Sequence, residues 1–188
     1  MLTRAQWSEK YAPLAVKVSA GTGIFPQTIL AFAIVESQGK INGVWYPGQN
    51  AAARQANNYF GIKKFPQWFG PVVDLPTPGD ATKISKFVVF KDIEQSFNGF
   101  IDFLKRNPRY KSAGVFEAPD YQTQIIRIGA AGYAENPQDA ELKIKVADSI
   151  KKYINEASRI INENKNLLPL FFLGLVVAAA VIFKSLKK

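Results

Sequence analysis

An acidic residue at the end of an apolar segment is the feature of this chain best suited to chemistry. The run Pro26–Val35 is almost entirely apolar and is followed by Glu36, Ser37 and, two residues later, Gly39. Proline at a first helical position and glycine just past the last one predict a single short helix over Pro26–Ser37. Because this helix is apolar nearly all round, we expect it to be buried.

The place of Glu36 in the last turn predicts a raised pKa for its side chain. Burial disfavours the charged form of a carboxyl group, and the unpaired carbonyls of a helix end make the local potential negative. A carboxylic acid that stays protonated near neutral pH can act as a general acid and protonate a leaving oxygen. The alternative is a helix-end glutamate that faces solvent or pairs with a lysine, since perturbed acids are only candidates for function.

The chain contains no cysteine and no histidine among its 188 residues. The lack of cysteine excludes a disulfide framework and thiolate metal sites. The lack of histidine excludes Ser-His-Asp and Cys-His catalysis and imidazole metal ligands. Acid–base chemistry must therefore use Asp, Glu, Tyr or Lys, and the sequence implies no cofactor and no bound metal.

A net charge of +9, from 24 basic and 15 acidic residues, favours polyanionic partners. Candidates are nucleic acid, anionic lipid and a bacterial wall that carries teichoic acid. The chain has no tight cluster of Lys and Arg with interleaved aromatic residues, so nucleic acid is not the expected partner. The charge pattern leaves the oligomeric state open.

An uncharged run of 17 residues, Leu167–Phe183, precedes the basic tail Lys184–Lys188. A helix of that length spans about 26 Å at ~1.5 Å per residue, enough to cross a hydrocarbon core. We therefore predict a single C-terminal transmembrane helix in the lipid bilayer, after a polar linker at 162–166. The alternative is a buried core helix, but the basic tail and the lack of a polar face favour the membrane span.

Capping signals and apolar periodicity divide residues 1–161 into five predicted helices and one β-hairpin. The predicted helices are Thr3–Ser19, with a Thr3/Gln6 capping box, Pro26–Ser37, a third from Asp92 to before Pro108, a fourth from Asp120 to Gly129, and a last one from Pro137. The predicted strands are Trp68–Leu75 and Lys83–Phe90, joined by residues 76–80. The segment Ile41–Asn58 is predicted to be mostly loop, with a helical turn at Ala51–Gln55.

These elements predict a mainly α domain of the α+β class, with about five helices and a small hairpin lobe. A cleft between the helices and the hairpin would have Glu36 at its floor. A hairpin packed away from Glu36 would contradict this architecture.

Five stretches together match the pattern of a known family. They are Gln27–Ser37, Asn57-Asn58-Tyr59-Phe60-Gly61-Ile62-Lys63, Phe87-x-x-Phe90 with Ser96, Asn107-Pro108-Arg109-Tyr110 and Ala131-Gly132-Tyr133-Ala134. In order and spacing this pattern resembles glycoside hydrolase family 73, the endo-β-N-acetylglucosaminidase domain of bacterial autolysins and flagellar-rod peptidoglycan hydrolases. The likeness covers about Trp7 to Ile150.

The resemblance implies a lysozyme-like fold that cuts the glycan strand of peptidoglycan after N-acetylglucosamine. Glu36 would be the proton donor in this reaction. Tyr133 matches a tyrosine that lines the catalytic subsite, although a packed core tyrosine is an equal alternative. The likeness thus supplies both a substrate and a role for the acid.

The resemblance also implies substrate-binding residues. Asn57, Asn58, Phe60 and Gly61 match the loop that shapes the cleft wall. Asn58 would hydrogen-bond an acetamido group, or instead cap a local turn. Trp68 would provide a stacking face for a sugar, or instead belong to the core.

One departure concerns the second catalytic group. The family often has a hairpin glutamate two residues after a threonine, whereas Thr77-Pro78-Gly79 has glycine there. Asp80 would substitute for it, Asp74 is a second option, and attack by the substrate's own 2-acetamido group is a third.

Three further functions, one enzymatic and two non-enzymatic, remain as alternatives. A lytic transglycosylase would use the same single acid and form an anhydro-sugar without water. A wall-binding or structural membrane protein would have lost activity, and a membrane-bound nucleic-acid binder is supported by charge alone.

The expected location is a membrane with a single C-terminal anchor. The opening residues Met1–Trp7 show charges and an amphipathic pattern rather than a signal peptide. Together with the anchor, this pattern predicts either a lytic enzyme of a membrane-containing bacteriophage virion or a bacterial envelope protein exported by another route.

Overall fold

The computed structural model describes residues 1–133 and 138–185, with side chains as far as residue 164 except that of Ala81. The seven helices described are α1 (Arg4–Ser19), α2 (Pro26–Ser37), α3 (Ala51–Ala56), α4 (Ile93–Arg106), α5 (Pro108–Ser112), α6 (Tyr121–Ala130) and α7 (Gln138–Ser185). The strands described are β1 (Gly39–Ile41), β2 (Val44–Tyr46), β3 (Val72–Thr77) and β4 (Asp80–Val88). A short 3₁₀ helix covers Val115–Glu117.

The two N-terminal helices lie where the sequence predicts them. Both halves of the capping box at the start of α1 are formed between Thr3 and Gln6. Helix α2 begins with Pro26 at its first position and ends at Ser37. Gly39 lies just past the end of the helix, as predicted, and opens β1, where a Cβ would lie 2.7 Å from the Gln49 backbone.

Helix α2 is the centre of the core. Every residue from Thr28 to Ile34 is at most 1% exposed, as predicted from its apolar composition. Helices α1 and α7 pack directly against it, and α4 and α6 also contact it. Each large side chain buried in this way stabilises the fold by about 1.5–3 kcal/mol, so the position of α2 is firmly fixed.

The mainly α class of the prediction is confirmed, while the count of about five helices is too low for the residues described. The two short helices α3 and α5 account for the difference; the first was predicted only as a turn. Pro108 does not simply end a helix, since it also occupies the first turn of α5. The predicted helices at Asp92 and Asp120 are confirmed as α4 and α6, and both aspartates accept a backbone N–H at the helix start.

The strands form two antiparallel pairs, β1 with β2 and β3 with β4. The first pair is a correction, because it lies in a segment predicted to be mostly loop. In the second pair Val72 faces Val88 and Asp74 faces Lys86, so both strands begin and end away from their predicted bounds. Pairing across the sheet, which depends on distant residues, sets these bounds.

The β3–β4 hairpin is fixed to the helical part at two points. Ala52 of α3 packs with Leu75 and Phe87 in a small apolar cluster. A β-bridge joins Lys63 to Phe87, and the backbone N–H of Lys64 donates to Lys86 at 2.8 Å. These contacts hold the hairpin beside the end of α2 rather than away from it.

Helix α7 is continuous in its backbone from Gln138 to Ser185, so the predicted linker at 162–166 is helical. The predicted transmembrane segment Leu167–Phe183 and the basic tail lie outside the residues described with side chains. Within the part of the chain that the structure describes with side chains, no helix is both long enough and apolar enough to cross a bilayer.

Replacing two helical glycines with alanine should change the stability of the protein in opposite directions. A Cβ at Gly99 in α4 would lie 2.3 Å from the buried Phe90 ring, whereas one at Gly129 in α6 would meet Ala140 at an ordinary 3.6 Å. We expect Gly99→Ala to destabilise the protein by about 1–3 kcal/mol through overpacking. Gly129→Ala, the matched control, should stabilise it by up to about 1 kcal/mol.

Urea denaturation of the two variants tests this packing. A Gly99→Ala protein as stable as the Gly129→Ala protein would contradict the close contact between α4 and Phe90.

Candidate active site

A cleft of about 1150 Å³ lies between the end of α2, the β3–β4 hairpin and the start of α7. Residues from all three elements and from the intervening loops line it. They include Glu36, Trp45, Gly61, Asp80, Tyr133 and Asp139. The structure therefore brings the helix-end acid and the hairpin together, as the sequence predicts.

Glu36 lies at the boundary between the core and this cleft. Its side chain is 25% exposed, and its Oε1 atom lies 2.7 Å from Nζ of Lys143. Its other oxygen, Oε2, is on the side of Gly61, where a Cβ would come within 3.9 Å. One carboxyl oxygen is thus bound to a lysine, and the other is next to a cleft wall without a side chain.

The pKa of Glu36 is raised above its ordinary value, in the direction predicted from the sequence. Burial is the largest cause, and the nearby negative charge of Asp139 acts in the same direction. The ammonium of Lys143 opposes both by its charge and its hydrogen bond. Glu36 is therefore both a buried acid and a lysine-paired one, although the sequence treated these states as alternatives.

Lys143 is the main site residue that sequence reasoning missed. It is 1% exposed, lies 4.6 Å from the centre of the Phe32 ring, and also forms an ion pair with Asp139 one helical turn earlier. The signal was present in the sequence, because Lys143 shares a helical stripe with Ala147, Ile150 and other buried positions of α7. A lysine on an apolar stripe indicates a buried partner.

The loop from Asn57 to Ile62 is held mainly by contacts in the protein interior, and of its residues Gly61 lines the cleft. The side chain of Asn58 is fully buried, and its two amide hydrogens donate to Ile62 at 2.8 Å and to Val88 at 2.9 Å. Its carbonyl accepts from the N–H of Ile62. The predicted bond from Asn58 to an acetamido group is therefore replaced by bonds that close the loop.

Three neighbours of Asn58 have different roles. Asn57 ends α3 in a left-handed conformation, and its side-chain amide donates to Phe90 and Lys91. Phe60 is a core residue, since its ring stacks on Phe100 at 4.3 Å. Gly61 does line the cleft, and its φ of 63° favours glycine. Of these predicted substrate-binding residues, Gly61 is the one that the structure places beside Glu36.

Tyr133 combines the two roles that the sequence left open. Its ring packs edge-on against Phe32 at 5.1 Å, and its hydroxyl donates to the carbonyl of Phe60 at 2.7 Å. Burial, and secondarily the charge of Glu36, hold its pKa well above the ordinary value. Tyr133 therefore stays neutral, lines the cleft and binds the loop that carries Gly61.

Asp80 lies at the hairpin end of the cleft, whereas Asp74 is not among the lining residues. Hydrogen bonds from Thr82, then from Lys83, lower the pKa of Asp80, so it is a carboxylate at neutral pH. Asp74 instead pairs across the strands with Lys86 at 2.9 Å. Of the two aspartates predicted as a second group, Asp80 is the one that faces the site.

The tryptophan at the cleft is Trp45, not Trp68. Trp68 donates from its indole nitrogen to Pro71 and packs on Phe90, outside the cleft. Trp45 of β2 lines the cleft and is 54% exposed. Sequence analysis did not identify Trp45 because its strand, β2, was predicted as loop. No pattern of neighbouring residues distinguishes an exposed tryptophan that lines a cleft from one that does not.

No group of three or more acidic side chains that could hold a metal ion occurs among the described residues. Glu36 and Asp139 approach each other, but the ammonium of Lys143 lies between them.

Similar proteins include two curated relatives. The peptidoglycan hydrolase FlgJ of Vibrio parahaemolyticus is 32% identical over 144 residues, which are 74% of this chain and 45% of that protein. FlgJ of Salmonella typhimurium is 29% identical over 155 residues, 78% of this chain and 46% of that protein. The chain thus spans about half the length of these relatives.

Solved structures share the fold. The glycoside hydrolase domain of Salmonella typhimurium FlgJ aligns with a TM-score of 0.60 at 24% identity, over 88% of this chain and 99% of that one. The catalytic domain of the autolysin Auto from Listeria monocytogenes aligns with a TM-score of 0.62 at 20% identity, over 81% and 89%. The fold is therefore the mainly helical, lysozyme-like fold of these glycoside hydrolase domains.

The sequence pattern of one protein family matches residues 12–166, which is most of the chain. This family is described as mannosyl-glycoprotein endo-beta-N-acetylglucosaminidase. This range includes α2 with Glu36, both hairpins and the described part of α7 that contains Lys143. The chain belongs to the glucosaminidase family, glycoside hydrolase family 73.

Proposed function

We propose that this protein is a glycosidase that cleaves the glycan strand of peptidoglycan, with Glu36 as general acid. The observation that carries the proposal is a carboxyl group with a raised pKa at the floor of a cleft of about 1150 Å³. Membership of the glucosaminidase family and the names of the FlgJ relatives support this substrate.

The reaction begins with a proton transfer. Glu36 donates its proton to the glycosidic oxygen as the bond to the anomeric carbon breaks, and the sugar develops positive charge. The leaving strand takes the electron pair of the broken bond. A water molecule then bonds to the anomeric carbon and gives up a proton to a carboxylate or to solvent. In the alternative route, the 2-acetamido oxygen of the substrate bonds to the anomeric carbon first, and water then opens the resulting ring and returns a proton to Glu36.

The surfaces around Glu36 suit a wall glycan. Trp45 offers an exposed aromatic face of the kind that stacks on sugar rings. Lys63 and Lys83 line the same cleft and would attract the carboxylates of peptidoglycan. We propose that the bond cleaved lies on the reducing side of N-acetylglucosamine, because the chain belongs to a family of endo-β-N-acetylglucosaminidases.

Glu36→Gln should abolish wall cleavage. The amide keeps the size of the side chain but has no proton to transfer, so turnover should fall about 100-fold or more. The measurement is zymography and solubilisation of purified peptidoglycan, with wild type beside the variant. Glu141→Gln, on the exposed face of α7, is the control and should retain activity.

A Glu36→Gln protein that still clears walls would show that the acid is not catalytic. Mass spectrometry of the wild-type products identifies the reaction. Reducing N-acetylglucosamine ends indicate the proposed glucosaminidase, and anhydro-muramic ends indicate the lytic transglycosylase, which the glycine at position 79 favours as second candidate. A folded wild type that binds walls without cutting them would be the inactive wall-binding protein.

Asp80→Asn tests whether a second carboxylate takes part. If Asp80 activates the water, the variant should lose about 10²–10⁴-fold in turnover, the usual contribution of a general base. Asp74→Asn is the matched control on the same hairpin, and we expect it to remain active because Asp74 lies outside the cleft. Full turnover in both variants would favour attack by the acetamido group of the substrate.

We also propose that residues 167–183 anchor the protein in a lipid bilayer, because this run is uncharged and precedes a basic tail. Val176→Asp should shift the protein out of the membrane fraction, since an acid at the centre of a span costs about 2.5–3.5 kcal/mol. Ile160→Asp, at an exposed site of α7, is the control. An unchanged distribution on carbonate extraction would contradict the anchor, and immunodetection in virions or host envelopes would identify the membrane.

A further inference from the structure

The proposed proton donor belongs to a cluster of three charged or acidic side chains centred on one buried lysine. Lys143 is 1% exposed and pairs with both Glu36 and Asp139, whose side chains are 25% and 23% exposed. A buried ammonium is costly unless it is paired and hydrogen-bonded. Because one of the two partners of Lys143 is Glu36, the pairing of this ammonium acts directly on the proposed acid.

The cluster makes the two oxygens of Glu36 different. Oε1 accepts from Lys143 at 2.7 Å, on the side of the core. Oε2 is on the side of Gly61, which lines the cleft. A proton on Glu36 is best placed on Oε2, because Oε1 already faces a positively charged donor.

We propose that Lys143 and Asp139 are positioning residues for Glu36: Lys143 fixes Oε1 so that Oε2 presents the proton to the cleft, and Asp139 neutralises Lys143 so that Glu36 stays protonated. This inference rests on the proposed function. In this scheme neither residue contacts the substrate or transfers a proton to it.

The charges of the cluster fit the proposed step. Before transfer, Lys143 and Asp139 neutralise each other and Glu36 is uncharged. The proton then moves from Oε2 to the glycosidic oxygen, the bond to the anomeric carbon breaks, and Glu36 becomes a carboxylate. Its new charge lies 2.7 Å from the lysine ammonium, so the same contact stabilises the enzyme after transfer.

Other groups near the site have weaker influence on Glu36. Tyr133, from the loop after α6, stays neutral because its pKa is held well above the ordinary value. The remaining charged residues that line the cleft, on the hairpin and the loop before it, are Lys63, Asp80 and Lys83. These are solvent-exposed or partly so, and screening weakens such interactions. Beside the larger effect of burial, Lys143 and Asp139 are thus the charges with the strongest influence on the pKa of Glu36.

The test compares Lys143→Met, Asp139→Asn and the double variant in the full-length protein. The pKa of Glu36 is followed by carboxyl-carbon NMR, assigned with Glu36→Gln, and the pH profile of kcat/KM is measured on soluble peptidoglycan fragments. Loss of a neighbouring opposite charge shifts a carboxyl pKa by about 1–3 units. Lys143→Met should therefore raise the pKa of Glu36 and move the alkaline limb of the profile to higher pH.

Asp139→Asn should do the opposite, because it leaves the charge of Lys143 uncompensated. The pKa of Glu36 and the alkaline limb should then fall by about one unit. The double variant removes both charges, leaves no unpaired ion, and should lie between the two single variants. Lys143→Arg keeps the charge and should restore the limb toward wild type.

Lys145→Met is the matched control, since Lys145 forms an exposed pair with Glu141 at the same spacing on α7. It should shift neither readout. Shifts of the same sign in Lys143→Met and Asp139→Asn, or unchanged limbs with only lower activity, would overturn the proposal. Opposite NMR shifts in a protein that cuts no peptidoglycan would support the cluster and contradict the proposed function instead.

Discussion

The burial of α2 is the constraint on which the rest of the structure depends. Its residues from Thr28 to Ile34 are sealed between α1 and α7, so the end of the helix has a fixed position and direction. Glu36 therefore leaves the core at one point, with apolar packing behind it and the cleft in front. The same packing raises the pKa of the acid.

Burial alone would not be sufficient for the general acid that we propose at Glu36. A lone buried glutamate would be neutral but free to rotate, and it would have no partner for the charge that remains after transfer. The ammonium of Lys143 supplies that partner and holds one oxygen in place. Asp139 balances the lysine, so the raised pKa of Glu36 survives beside a cation. Low polarity and paired charge thus act together at one carboxyl group.

The motifs that identify the family mostly build the cleft rather than contact a ligand. Asn58 closes its loop with two hydrogen bonds to Ile62 and joins it to β4 with a third, to Val88, and the hydroxyl of Tyr133 donates to the carbonyl of Phe60. Together these contacts position Gly61, which has no side chain and so leaves space beside Glu36. Residues with the strongest sequence signal are therefore the scaffold, while the exposed Trp45 and the partly buried Asp80 line the open cleft.

The sequence by itself determined what depends on neighbouring residues. The capping box of α1, the extent of α2, the caps of α4 and α6 and the place of Glu36 near a helix end all follow from spacings of a few residues. Only the tertiary structure decided the hairpin register, the choice of Trp45 over Trp68, and the pairing of Glu36 with a lysine 107 positions later. Those outcomes arise from packing between distant segments, where burial and charge are set by partners that no local pattern contains.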